Sequence, residues 1–184
     1  MKLPHEAKKV FTGELFDVYQ WEQELFDGSK KTYEMLKRSD SVNIIAVSEG
    51  KIIIIDDDQP ARGKITCIPA GRVEPSEKPE DAAPRELLEE TGFTSDDWQM
   101  YLEEQPYSKI EWTNYTLIAR NAKKRQDARP DAGERIETTL ISFDDFLNLA
   151  RDPHFRIPNS LRHVLWEVLL NPNKKAELKR ELGL

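Results

Sequence analysis

The sequence predicts a layered α/β fold with a small antiparallel β region in front of it, and three observations carry that reading. Ile52 to Ile55 are four consecutive β-branched residues, the pattern of a strand buried on both faces of a central sheet. Residues 79–91 carry helix signals at both ends. Residues 10–38 are rich in aromatic and β-branched side chains and are interrupted by one turn signal, Phe26-Asp27-Gly28-Ser29.

In chain order, residues 1–9 are polar and expected to be loosely held. Strands are expected over about 10–24 and 31–38, so that residues 1–39 form an N-terminal β region and 40–184 the main domain. Ser41–Ser48 and Lys51–Asp56 read as strands joined by a tight Glu49-Gly50 turn, with Asp56-Asp57-Asp58 expected as a solvated strand end. Lys64–Pro69 leads to the helix loop. Pro79 suits the first helical position, Glu80 and Asp81 suit the first turn, and Gly92 suits the residue just past the end. Pro84 removes one backbone hydrogen bond from this helix, at a cost of about 3 kcal/mol unless a kink absorbs it. Strands are expected at 98–103 and 110–119, an exposed basic loop at 120–130, and helices at 143–150, 160–170 and 174–182, the first capped by Ser142.

Composition limits the class of partner. The chain has 184 residues, 33% charged and 38% hydrophobic, with a net charge of −7, enough for a well-buried core and ordinary for a globular protein. No basic stripe offsets that charge, which argues against broad binding to nucleic acid or anionic membrane. Cys67 is the single cysteine, so no intramolecular disulfide forms, and it reads as a small core residue. No apolar run reaches the length of a signal core or membrane span, and the simplest location is the cytoplasm. His154 and His163, nine residues apart, share no helical face and make no metal pair.

Chemistry concentrates on the helix. Glu86, Glu89 and Glu90 stand at i, i+3 and i+4 and crowd one face. Like charges so placed repel by roughly 0.2–0.5 kcal/mol per pair unless a cation sits among them. A solvated acidic face is the alternative for three glutamates taken alone. Arg85 precedes Glu89 by one turn and can pair with it. The preceding loop decides between the two readings: after Gly71 come five residues and Glu77, then seven more and Arg85-Glu86-Leu87-Leu88-Glu89-Glu90-Thr91-Gly92-Phe93. This matches the signature of the Nudix hydrolases at every fixed position, and the chain resembles that superfamily.

The resemblance implies an α/β/α sandwich with a mixed central sheet and hydrolysis of a nucleoside diphosphate linked to another group. It implies Mg²⁺ or Mn²⁺, hard cations that take oxygen ligands and activate water. Glu86 and Glu90 become the principal ligands, Glu89 a ligand or water holder, and the Ala70 carbonyl a further ligand; Glu77 and Arg85 brace loop against helix. The Pro69-Ala70-Gly71 entry is similar to the branch that hydrolyses ADP-ribose and nucleotide sugars. The N-terminal region resembles the small domain through which those enzymes form homodimers, often by exchange, and which lends aromatics to the base. Tyr33, Phe16 and Trp21 are the candidates here, with core or dimer packing as the alternative for each. The family often carries an arginine shortly after the glutamine that ends the preceding strand; here Gln59 is followed by Pro60 and Ala61 before Arg62, which is the candidate phosphate contact of the substrate. Pro106 lies near the place of a loop proline found in ADP-ribose-specific members. Asp131–Glu137 resembles the loop that supplies a glutamate as general base or additional metal ligand, with Glu134 the first candidate and Glu137 the second. ADP-ribose is the leading substrate. Alternatives are GDP-mannose, a dinucleotide polyphosphate, a nucleoside triphosphate, or a sensor that binds without turnover.

Overall fold

The computed structural model describes residues 2–184. Three N-terminal strands, β1 (Lys8–Thr12), β2 (Asp17–Glu24) and β3 (Lys30–Lys37), pair antiparallel. The expected single strand over 10–24 is therefore two, because the Gly13 N–H closes a turn on the Phe16 carbonyl at 3.0 Å. The residues before β1 are also tied down. Leu3 donates its N–H to the Glu111 carboxylate, and Lys8 already pairs with Gln20; Met1 lies outside the described residues.

The main sheet begins with β4 (Ser41–Ser48), β5 (Lys51–Gln59), β6 (Gly63–Cys67) and the short β7 (Ala70–Arg72). Helix α1 (Pro79–Thr91) follows with the expected bounds, then β8 (Phe93–Thr94), β9 (Asp97–Glu104), β10 (Ile110–Glu111), β11 (Asn114–Arg120) and β12 (Lys123–Lys124). The rest is β13 (Arg135–Ile141), α2 (Phe143–Leu149), β14 (Phe155–Arg156), α3 (Asn159–Leu170) and α4 (Pro172–Leu182). The strand expected over 110–119 is split. Its first two residues join β3 in parallel, and the chain crosses at Trp112-Thr113, where the Asp40 side chain accepts the Thr113 N–H at 2.7 Å, into the main sheet. The N-terminal sheet thus has a parallel edge supplied by the later chain.

The main sheet is mixed: β4 runs parallel to β11, and β14 to β6, while the other pairs are antiparallel. The isoleucine run sorts itself by the period of two. Ile52 and Ile54 join the core under α2, α3 and α4 with Phe146, Leu161, Leu178 and Leu182, whereas Ile53 joins the core under α1 with Ala82, Ala83 and Leu87. The result is helices on both faces of one sheet.

One irregularity makes the site. β4 and β5 pair only at Val47↔Ile52 and Ser48↔Lys51 and then diverge. The beginning of β4 pairs instead with β7, Val42 opposite Gly71 and Asn43 opposite Ala70, so the entry to α1 is wedged into the opening. Asp56–Asp58, expected as a solvated strand end, are instead inside β5, paired on both sides by β6 and β13. Asp57 is only 4% exposed.

Candidate active site

A cleft of about 1150 Å³ opens where β4 and β5 part, lined by Asp57, Gln59, Arg62, Ala70, Glu86, Glu89, Glu90 and Glu134 among others. Its floor is α1. Pro79 starts this helix without a side-chain cap, and Gly92 ends it in the left-handed region at φ 72°, donating its N–H to the Leu88 carbonyl at 2.8 Å. Pro84 lies inside the helix, and the helix runs through it unbroken.

Arg85 ties the loop to the helix. Its Nε and Nη2 each donate to the Glu77 carboxylate at 2.9 Å, Nη2 also to the Arg72 carbonyl at 2.9 Å, and Nη1 to Glu86 at 2.8 Å and Glu89 at 3.1 Å. The pairing with Glu77 raises the Arg85 pKa and holds Glu77 below the usual carboxylate range. Glu86 lies directly over Gly71: a Cβ there would stand 1.9 Å from the Glu86 carboxyl carbon, so only glycine permits this approach. Glu90 is 6% exposed and accepts the Ala70 N–H at 2.9 Å, which places the Ala70 backbone beside it.

Glu134 joins this group across the cleft. It sits on the turn before β13, its N–H bonded to the Asp131 carbonyl at 2.9 Å and its carboxylate receiving the Gln59 side chain at 2.6 Å. Glu137, the second candidate, is exposed and pairs with Lys64 at 3.2 Å. Burial raises the pKa of Glu86, Glu90 and Glu134, and their mutual repulsion adds to it: Glu134 pushes up both box carboxylates, and Asp57 pushes up Glu90 and Glu134. Arg62 lines the cleft but its guanidinium bonds to Asp57 Oδ2, which also receives Gln59. Asp57 Oδ1 is buried without a partner.

Among the described residues, no three His, Cys, Asp or Glu side chains already converge as a ready cage; Glu86 and Glu89 share Arg85 Nη1, and Glu90 accepts the Ala70 N–H. The donor set nonetheless fits a hard divalent cation. It is all oxygen, it is acidic beyond what Arg62 and Arg85 neutralise, and it includes one orphaned buried carboxylate oxygen.

The expected base contacts do not face the cleft in the single chain. Trp21 is 8% exposed within the N-terminal sheet and packs against Tyr33, with ring centroids 6.0 Å apart and planes tilted by 44°. Tyr33 lines a separate hollow with Met35, Tyr107 and Ile110. Phe16 packs under Arg38. The cleft wall is built instead by Arg38, Pro106, Tyr107 and Trp112. Of these the sequence signals only Pro106; Asp57 and Trp112 are hidden because their direction depends on pairing and on the crossing between sheets.

The NUDIX domain description matches residues 37–161. An ADP-ribose pyrophosphatase of Bacillus subtilis (strain 168) is 40% identical over 90 residues, 48% of this chain and 49% of that protein, so the chain spans about half the length of this relative. A methanol dehydrogenase activator of Bacillus methanolicus is 26% identical over 151 residues, 80% of this chain and 82% of that one. A solved structure described as an ADP compounds hydrolase superposes with a TM-score of 0.72 over 90% of this chain and 92% of its own, at 21% identity, which supports the fold. With the domain match covering 37–161 of 184 residues and Gly71, Arg85, Glu86, Glu89 and Glu90 of the signature lining the cleft, the chain belongs to the NUDIX domain family.

Proposed function

We propose that this chain is a divalent-metal-dependent pyrophosphatase that hydrolyses a nucleoside diphosphate sugar, ADP-ribose first, to a nucleoside monophosphate and a sugar phosphate. The observation that carries the reading is that Glu86, Glu90 and Glu134 line one cleft, where burial and neighbouring carboxylates raise all three carboxyl groups. The similarity to the ADP-ribose pyrophosphatase supports the substrate.

Glu86, Glu90 and the Ala70 carbonyl would hold Mg²⁺ or Mn²⁺, with Glu89, more exposed than Glu86 and Glu90, holding a further ion or its water. The bound cation neutralises phosphate oxygens and lowers the pKa of water. Arg85 keeps Glu86 and Glu89 in register with the loop, and Gly71 lets the Glu86 carboxylate lie against the loop backbone. Glu134 would take the proton of the attacking water. Its raised pKa makes it a stronger base than a solvated glutamate, and Gln59 orients it. Water adds its oxygen to one phosphorus, the bridging P–O bond breaks, and the leaving phosphate departs as a phosphate monoester. Arg38 and Arg72 line the cleft without a carboxylate ion-pair partner among the described residues and can meet phosphate charge. A homodimer is the assembly in which Tyr33 and Phe16 would reach a substrate.

The test is product analysis after incubation with ADP-ribose, GDP-mannose, diadenosine polyphosphates and nucleoside triphosphates, with Mg²⁺ and with Mn²⁺. AMP and ribose 5-phosphate from ADP-ribose are expected, with a loss of about 10³-fold or more in Glu90→Gln. Turnover confined to triphosphates or dinucleotides would reassign the substrate, and binding without turnover would make the protein a sensor.

A further inference from the structure

Asp57 is a charged residue where the strand calls for an apolar one. By the period of two it follows Ile53 and Ile55 on one face of β5, and like them it is buried, at 4% exposed. Directly across from it stand Ile65 of β6 and Ile136 of β13, neither of which has a side-chain donor for a carboxylate. Its Oδ1 is left without a partner. Its Oδ2 receives the Arg62 guanidinium from the β5–β6 turn and, at 3.1 Å, the side chain of Gln59, two residues further along the same face. A half-satisfied buried carboxylate destabilises the folded chain, and a third isoleucine would not. What Oδ2 holds therefore accounts for the residue.

Through Oδ2, Asp57 holds the side chain that faces Glu134. The same Gln59 Nε2 donates to Glu134 Oε1 at 2.6 Å, so the amide spends both hydrogens on carboxylates and is fixed in one orientation. Strand register delivers the pair: with Arg135 opposite Asp58, one more step places Glu134 across from Gln59. Little else fixes Glu134. Its turn closes through the backbone on the Asp131 carbonyl, and a Cβ built on Gly133 would meet nothing within 4 Å. Among the described residues, Gln59 is the side chain that holds the Glu134 carboxylate.

We propose that Asp57 is a positioning residue: through Gln59 it sets the direction of the Glu134 carboxylate, and its charge keeps the Gln59 amide from turning its oxygen toward that carboxylate. The inference rests on the reading of Glu134 as proton acceptor and names what holds that acceptor in place. Asp57→Asn puts an amide donor within reach of Gln59 Oε1, which lets the Gln59 amide turn over and face Glu134 with an oxygen.

Two variants and two readouts test this. In Gln59→Leu and in Asp57→Asn, kcat for the substrate turned over should fall about ten-fold with KM within about two-fold, because binding is kept while the acceptor loses its direction. Gln59 is half-buried, so Gln59→Leu carries the test should Asp57→Asn fail to fold. The double variant should lie within about two-fold of the slower single variant, and in a Glu134→Gln background Asp57→Asn should move the residual rate by less than about two-fold. The second readout needs no turnover: hydrogen exchange at the Glu134 amide of the metal-free protein should run about ten-fold faster in both variants, with the amides of β13 protected as before. Additive losses, an unchanged kcat, an effect of Asp57→Asn that persists beside Glu134→Gln, or unaltered exchange at Glu134 would each overturn the proposal. If the unaltered protein hydrolyses nothing, exchange alone decides: faster exchange would remove the enzyme reading and leave Glu134 held by Asp57, and unaltered exchange would remove both.

Discussion

At the scale of the residue, Glu90 shows a conflict between stability and chemistry. Its carboxylate is 6% exposed, burial lifts its pKa well above the ordinary value, and Glu86, Glu134 and Asp57 lift it further, while one N–H, from Ala70, works the other way. A carboxyl group whose folded pKa exceeds its unfolded value binds more protons folded than unfolded, so its contribution to metal-free stability falls as pH rises through the range between the two. Glu90→Gln removes that penalty while keeping an oxygen to accept the Ala70 N–H. We expect the metal-free variant to melt roughly 2–4 °C higher than the unaltered protein at pH 8, the shift made by about 1 kcal/mol in a chain of this size, with the gap shrinking toward pH 5. Mg²⁺ should raise the melting temperature of the unaltered protein and barely move that of the variant. Scanning calorimetry at several pH values, with and without Mg²⁺, checks both. Cys67, on the cleft wall, shows the same effect of burial: its thiol is pushed up to about 12. It should react slowly with alkylating reagents at neutral pH.

At the scale of the element, α1 depends on its C-terminal end. The last carbonyls of a helix need partners, and here the basic loop supplies them: Lys124 Nζ donates to the Thr91 carbonyl at 2.6 Å, Arg125 N–H to Gly92 at 2.9 Å and Arg129 N–H to Glu89 at 2.7 Å. Lys124 also places positive charge at the negative end of the helix dipole. Lys124→Met should cost about 1 kcal/mol and raise the Mg²⁺ concentration needed for half-maximal activity, because Glu89 and Glu90 lie on that last turn. A melting curve and an Mg²⁺ titration of activity measure the two effects. The bounds of α1 were legible because Pro79 and Gly92 are local signals, and Glu86, Glu89 and Glu90 because helical spacing fixes their common face. The purpose of the basic loop was not legible, since its contacts join residues far apart in sequence. Asp57 escaped for a related reason. Three adjacent aspartates read as a solvated end, and only pairing of β5 on both edges turns the middle one inward. The break of 110–119 into β10 and β11 has the same origin, a choice between two sheets that residue patterning does not encode.

At the scale of the whole molecule, the sheet separates two cores, and the separation predicts that stability and activity can be changed independently. The acidic cleft is built on the α1 side, where Val42, Ile44, Ile53 and Leu87 pack. Across the sheet, Leu178 and Leu182 of α4 pack with Phe146, Leu161 and Leu165. This helix lies beyond residue 161, where the domain match ends, yet Leu182 is fully buried and Arg120 of β11 donates to the Glu181 carbonyl. α4 therefore completes the core and is no loose appendage, which the Asn171 cap on its first N–H groups reinforces. Leu182→Ala removes a buried side chain and leaves a cavity, at a cost of about 2–5 kcal/mol. The melting midpoint should drop by roughly 5–15 °C in consequence. Among the described residues none of α4 lines the cleft, and Ile157 is the cleft residue packed at the edge of this cluster, so kcat and KM measured well below the new midpoint should match those of the unaltered protein. Denaturation monitored by circular dichroism, beside initial rates at 15 °C to 20 °C, makes the comparison. A parallel fall in rate at temperatures where the variant remains folded would show that the two cores are coupled through β4 and β5, the strands whose divergence opens the cleft.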